Sequence, residues 1–319
     1  MSGREADSWR RHLSGFPALH RLRDPSVSGA TNPDSGSPIT SAHRPRIAYP
    51  GAAGSYTQEA SSVLYPDADL YSAGTFVDVF EHVRSGQAAA GVLPIENSLA
   101  GLVVETWDLL AEGELPIGGE AVMHIPHCLA VVPGATLEGI GTIHSHPVAL
   151  QQCRRFLNGR YDRIATSTTA DAVMAVAEAA DPAHAAIASP GAARRYGLEI
   201  LLEEISDHPE NFTRFVAISR GPIRPFVPGL PWRTALRVVT NHRPGALHEA
   251  IEPLRYHGVN MVSLHSRPIP GEPWRYQFSL DIDGHRDEET MQRALADVER
   301  RSARVVVLGV YPTTARPGT

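Results

Sequence analysis

The order of apolar and polar positions changes rhythm along this chain, and each change marks an element. Residues 46–50 read as a strand entering a glycine-rich turn, Gly51 to Tyr56, followed by a helix over 57–64. Residues 75–85 carry apolar positions at helical spacing, and 88–95 form an apolar run suited to a buried strand. Leu99, Leu102, Val103, Thr106 and Leu110 then repeat at helical spacing, so a helix is expected from about residue 99. A second unit follows: strands at 125–132, 140–145 and 164–167, a helix at 146–157 opening with Pro147, and a helix at 168–180 capped by Thr168 or Thr169. It continues with a strand at 185–188, a helix at 190–196 and a strand at 198–205, and a strand at 211–219 returns to the first unit. Four prolines in 221–231 mark a linker. Beyond it the order is strand 234–240, helix 245–256 interrupted by Pro253, strands 259–266 and 274–283, helix 287–300 and strand 304–310. That βαββαβ order is ferredoxin-like, and the chain as a whole is α/β.

These boundaries divide the chain into a disordered N-terminal extension (1–45), a two-lobed unit (46–220), a linker (221–232), a small C-terminal domain (233–312) and a tail (313–319). Lobe 1 takes about 46–121 and 210–220, and lobe 2 about 122–209, leaving a cleft suited to a small ligand. At 319 residues and 42% apolar content there is enough chain for such cores. The net charge of −6 gives no basic excess for nucleic acid, and the apolar runs are too short to cross a membrane. All 29 basic residues are arginine, which excludes Schiff-base, pyridoxal-lysine and Walker-type phosphate chemistry. Two cysteines, Cys128 and Cys153, stand in no metal or redox spacing, as expected in a reducing cytoplasm.

The candidate chemistry gathers at helix starts. Glu96, Asn97 and Ser98 are expected where a strand ends and a helix begins, a place that favours an anion. Ser55 lies in the glycine-rich turn and Thr168 and Thr169 at another helix start; as readily, these residues are plain N-caps. His124, His127, His144 and His146 lack a third ligand at telling spacing, so no metal is expected.

Taken together, five stretches resemble prephenate dehydratase. They are the opening strand with its turn, PIENSLAG at 94–101, SHPVALQQC at 145–153, NFTRF at 211–215, and a C-terminal segment that resembles an ACT domain, with PGAL at 244–247 and HSRP at 265–268. The match runs in the family's order across 46–311. It implies a periplasmic-binding-protein-like, two-lobed catalytic domain with an ACT domain that binds phenylalanine as feedback inhibitor. The reaction expels carbon dioxide and hydroxide from prephenate, a dianion, to give aromatic phenylpyruvate, and needs no cofactor. The enzyme must seat two negative charges and donate a proton or hydrogen bond to the departing hydroxyl.

By resemblance Thr213 sits against that hydroxyl; Asn97 is expected to supply a neutral donor beside the helix terminus, and Glu96, were its pKa raised, is the rival general acid. Ser145 and Gln152 match family positions that line the site, and Ser98 adds a neutral donor beside the helix start. Arg214 is expected to pair with a substrate carboxylate if it turns into the cleft, and Phe215 follows in the same signature. Thr213 and Arg214 are adjacent on a strand, so both reach one cleft only if the strand is irregular there. Three helix starts, near residues 97, 146 and 168, are expected to converge on the dianion. In the ACT-like segment Asn241, Gly245, Ala246, Leu247, Asn260, His265, Ser266 and Arg267 are the expected effector contacts. His265 replaces the family's glutamate, which leaves the identity and strength of feedback open. A cytoplasmic homodimer or homotetramer is expected, and the 45-residue leader is too short for a chorismate mutase domain. The alternatives are an arogenate dehydratase, a prephenate decarboxylase-like relative, or a non-catalytic amino-acid sensor.

Overall fold

Strand β1 (Arg46–Pro50) is the first element of the computed structural model, which describes residues 44–112, 115–221, 226–269 and 271–313. Residues 1–43 of the expected N-terminal extension (1–45) and residues 314–319 of the expected tail lie outside the described residues. Helix α1 (Tyr56–Leu64), strand β2 (Asp69–Gly74) and helix α2 (Phe76–Ser85) lead to β3 (Ala90–Asn97). A short β4 (Gly101–Leu102), helix α3 (Val104–Ala111) and β5 (Ile117–His124) complete the first part of lobe 1. Lobe 2 holds β6 (Cys128–Val131), β7 (Thr142–Ser145), α4 (Pro147–Gln152), α5 (Arg154–Leu157) and β8 (Asp162–Ala165). It closes with α6 (Thr169–Ala179), β9 (His184–Ala188), α7 (Pro190–Arg195) and β10 (Glu199–Leu202). Strand β11 (Phe212–Ser219) returns to lobe 1. The C-terminal unit is β12 (Trp232–Val239), α8 (Ala246–Tyr256), β13 (Met261–Ile269), β14 (Glu272–Asp283), α9 (Glu289–Arg301) and β15 (Arg304–Pro312).

Two mixed sheets organise these elements. Lobe 2 is built on β10-β6-β9-β7-β8, with apolar clusters on both faces. Among the described residues, the other sheet runs β13-β14-β12-β15-β5-β11-β3-β1-β2, so lobe 1 and the C-terminal unit share it. The join is a single parallel bridge, Gly309 opposite Ile117. A Cβ on Gly309 would collide with the Ile117 carbonyl oxygen, so only glycine permits that approach. In lobe 1, Ile47, Ala60, Val92 and Phe215 pack on one sheet face, and Val79, Leu93, Trp107 and Ile218 pack on the other. The C-terminal strand order β13-β14-β12-β15 with its two helices matches the ferredoxin-like expectation.

Several boundaries move. β3 runs on through Asn97 because β11 pairs with it to that residue. The Asn97 side chain then turns the chain, accepting from the Leu99 and Ala100 amides, and Gly101 at φ +82° completes the reversal into β4. Leu99 is exposed, so α3 starts only at Val104. Strands β2 and β5 were not expected. The helix expected over 146–157 breaks at Cys153, and α8 continues through Pro253. Trp232, expected in the linker, begins β12, and Thr313, expected in the tail, is buried and donates to Glu120.

Candidate active site

Antiparallel pairing sets Asn97 opposite Thr213 and Glu96 opposite Arg214. Neighbouring strand residues face opposite ways, so these two pairs lie on opposite faces of the sheet. Asn97 Nδ2 donates to Thr213 Oγ1 at 2.9 Å, to Asn211 Oδ1 at 2.8 Å and to the Phe212 carbonyl at 3.1 Å. Asn97 Oδ1 accepts from the backbone amides of Leu99 (3.0 Å) and Ala100 (2.8 Å) and from Gln152 Nε2 (3.2 Å). Backbone amides only donate, so they fix which end of the Asn97 side chain is oxygen. Thr213 Oγ1 therefore receives a hydrogen bond from Asn97 and keeps its own proton available.

Gln152, the last residue of α4, crosses from lobe 2. Its Oε1 accepts from His127 Nε2 at 2.9 Å and from Asn211 Nδ2 at 3.1 Å. His127 is 2% exposed, and burial lowers its pKa, which keeps the imidazole neutral. Its Nδ1 lies 3.3 Å from the Tyr56 hydroxyl, which donates to the Pro126 carbonyl. Burial pushes the Tyr56 phenol well above its ordinary value, so it stays a donor. Every member of this cluster is uncharged. The lobes also meet where Ser189 Oγ donates to the Gly54 carbonyl (3.2 Å) and Tyr196 to the Ala53 carbonyl (3.0 Å).

On the opposite face Arg214 is buried against acids. Its Nη1 lies 2.7 Å from Asp281 Oδ2 and 3.7 Å from Glu120, and its Nε lies 3.5 Å from Glu96. Burial works against the charge, but Asp281, Tyr311, Glu120 and Glu96 outweigh it and raise the pKa above the ordinary arginine value. Arg233 shares Glu120 at 3.1 Å, so the cluster ties β11 to the C-terminal strands.

A second concavity, of about 330 Å³, lies between the start of α8 and strand β14. Asn241, Gly245, Ala246, Leu247, Trp274 and Tyr276 are among its lining residues. Gly245 caps α8 with no side-chain bond, which leaves amides at a helix end suited to an anion.

The sequence profile of one family, prephenate dehydratase, matches residues 47–223. The chain belongs to the prephenate dehydratase family. The bifunctional chorismate mutase/prephenate dehydratase of Escherichia coli K12 is 38% identical over 278 residues, covering 85% of this chain and 72% of that protein. A bifunctional N-acyl-homoserine lactone acylase/prephenate dehydratase of Komagataeibacter europaeus is 36% identical, covering 84% of this chain and 96% of that one. Among solved structures, a prephenate dehydratase from Arthrobacter aurescens in complex with L-Phe superposes with a TM-score of 0.76 at 34% identity, covering 84% and 89% of the two chains.

Within this family member the structure sorts the expected residues. Asn97, Gln152 and Thr213 come together. Ser98 is no helix cap: it clasps β11, donating to the Glu210 carbonyl and accepting from the Phe212 amide. Ser145 is fully buried and donates to the Ile187 carbonyl, so its hydroxyl does not line the cleft. Phe215 belongs to the lobe 1 core. Glu96 and Arg214 face each other, away from Thr213, which removes Glu96 as a rival acid and Arg214 as a carboxylate clamp. Ser55 caps α1 and Thr168 caps α6, and a Cβ on Gly51 would crowd the Thr168 methyl, so the glycine-rich turn that leads into α1 adjoins the start of α6 across the lobes. Thr169 opens α6 behind that cap. The helix start expected near residue 97 is absent.

Four of the expected effector contacts lie away from the C-terminal concavity. Asn260 bonds Asp283 at the other end of the sheet. His265 lies against Trp107 of α3 with ring centres 6.2 Å apart, and Arg267 donates to both oxygens of Asp108 at 2.7 Å. Ser266 is exposed between them. Both cysteines are free and buried, their thiols pushed up to about 11 and about 12 by burial. Among the described residues no three metal-ligating side chains converge, and no helix is long and apolar enough to cross a membrane. Sequence reading missed Asn211 and His127, although the first opens the NFTRF stretch and the second was weighed only as a metal ligand.

Proposed function

We propose that this chain converts prephenate to phenylpyruvate at the Asn97–Gln152–Thr213 cluster, in the synthesis of L-phenylalanine. One observation carries this reading: Thr213 Oγ1 accepts from Asn97 Nδ2, which leaves its own proton for another acceptor. A neutral hydroxyl is a weak acid, but the departing hydroxide leaves a ring that gains aromaticity. A positioned donor is then enough to stabilise the charge that develops on the leaving oxygen. The start of α6 and the glycine-rich turn beside it, which leads into α1, supply amide dipoles for a substrate carboxylate without any lysine.

The C-terminal unit acts as an ACT domain in this reading, with L-phenylalanine in the concavity at the start of α8. Its carboxylate meets the uncapped amides near Gly245, and its ring meets Trp274 and Tyr276. Trp274 is 81% exposed and Tyr256 64%, which favours pairing with a second copy into a homodimer or homotetramer. Two unoxidised buried thiols suit the cytoplasm. Following phenylpyruvate absorbance with prephenate, beside phenylalanine formation from arogenate, tests the assignment. Turnover of prephenate that phenylalanine suppresses is the expected result; turnover of arogenate alone, or phenylalanine binding without turnover, overturns it.

A further inference from the structure

We propose that His127 is a positioning residue, whose Nε2–H sets the hydrogen-bond polarity that ends at the Thr213 hydroxyl. The inference rests on Thr213 being the donor to substrate, and its own link can be tested apart from that. The argument starts from groups whose polarity is not open. The Leu99 and Ala100 amides hold Asn97 Oδ1 in place, so Gln152 must present its NH₂ end there, 3.2 Å away. The other end of Gln152 is then oxygen, and it faces His127 Nε2 at 2.9 Å. An oxygen acceptor requires a proton on that nitrogen, so His127 is the Nε2–H tautomer, and its unprotonated Nδ1 lies 3.3 Å from a Tyr56 hydroxyl whose own proton goes to the Pro126 carbonyl. The relay reads His127 to Gln152 to Asn97 to Thr213, each group donating to the next.

Asn211 Nδ2 also donates to Gln152 Oε1, so His127 is one of two restraints. The ring is nevertheless the one that comes from lobe 2, as Gln152 does. The pair is therefore set before the lobes meet, whereas Asn97, at the end of β3, and Asn211, just before β11, belong to lobe 1. Without His127, the Gln152 amide turns over in a share of molecules and offers oxygen to the Asn97 oxygen, and those molecules close poorly. Losing one hydrogen bond of ordinary strength corresponds to roughly a three- to tenfold fall in kcat.

The test pairs His127→Met, which keeps length and removes the donor, with His127→Gln, whose amide nitrogen reaches the Nε2 position. His127→Met should lower kcat three- to tenfold with KM within about twofold, and His127→Gln should restore most of it. In a Gln152→Leu background His127→Met should cost nothing further, since its effect passes through Gln152. Equal losses in both His127 variants, unchanged kcat in His127→Met, or additive losses in the double variant overturn the proposal. Should His127→Met fail to fold, ¹⁵N resonances of the unaltered protein at pH 7.5 decide: an Nε2–H tautomer for His127 supports the relay, and an Nδ1–H tautomer overturns it. Wild-type kcat in Thr213→Val with this cycle intact would fault the Thr213 assignment and spare the relay.

Discussion

Replacing Thr213 by valine removes one oxygen and keeps the shape of the side chain, which makes it the cleanest probe of this site. Asn97 Nδ2 has two protons and retains two acceptors, Asn211 Oδ1 and the Phe212 carbonyl, so no buried donor is orphaned. The stability cost is then that of one net hydrogen bond, about 0.5–1.5 kcal/mol, or a few degrees in Tm. A positioned proton donor is worth about 10²–10⁴ in rate, which at 1.36 kcal/mol per decade is roughly 2.7–5.4 kcal/mol. The lower end applies here, because aromatisation already drives the hydroxyl out. Phenylpyruvate formation from prephenate should show kcat down about 10²-fold in Thr213→Val, with recovery to within about tenfold in Thr213→Ser. A folded Thr213→Val with kcat within threefold of the parent refutes the reasoning.

Three further outcomes follow from the same structure. Arg214→Met leaves Asp281 and Glu120 buried beside a missing cation and should cost about 3–5 kcal/mol in denaturant unfolding, with KM for prephenate within threefold; a tenfold rise in KM at unchanged stability would restore Arg214 as a substrate clamp. Gly309→Ala should cost about 1–3 kcal/mol by forcing β15 off Ile117, and a wild-type melting curve would show that the sheet join is looser than drawn. Burial lowers the pKa of His127, His144 and His146, so the unfolded chain takes up more protons as pH falls below about 6.5, and Tm should drop between pH 7.5 and 5.5. Glu59, raised by burial, takes up its proton first in the folded state and pulls the other way, one group against three, so a Tm that climbs over that interval is the refuting result.

Much of the fold was legible because long periodic segments leave little choice. The βαββαβ order, the Thr168 cap and β11 lie close to where their patterns put them. The failures share a cause: a pattern of apolar residues does not say what the backbone is bonded to. Leu99, Leu102 and Val103 fit a helical stripe, but β11 holds β3 straight through Asn97 and the turn leaves Leu99 in solvent. β5 was hidden by Gly118-Gly119, residues that weaken any strand signal, and only its place between β11 and β15 makes it a central strand. The sharing of one sheet by lobe 1 and the C-terminal unit depends on Gly309 and Ile117, 192 positions apart by their numbers, which no local reading can pair.

At the site, residue types were readable and their directions were not. Strand alternation already required Thr213 and Arg214 to part company, but it could not say which of them turns toward Asn97 and Gln152. The choice is made by what waits on each side: neutral amides beside Thr213, and buried carboxylates beside Arg214 that no arginine-free strand could approach. On the proposed function, the same division answers how a lysine-free crevice would manage a dianion. The fixed cation is held on the far face as part of the framework, and the cluster on the near face is uncharged, with its hydrogen-bond polarity anchored in two backbone amides. A mobile charge beside the leaving hydroxyl would bind substrate and product acids alike, whereas an oriented neutral donor acts on the oxygen that becomes charged during departure, which is where the barrier lies.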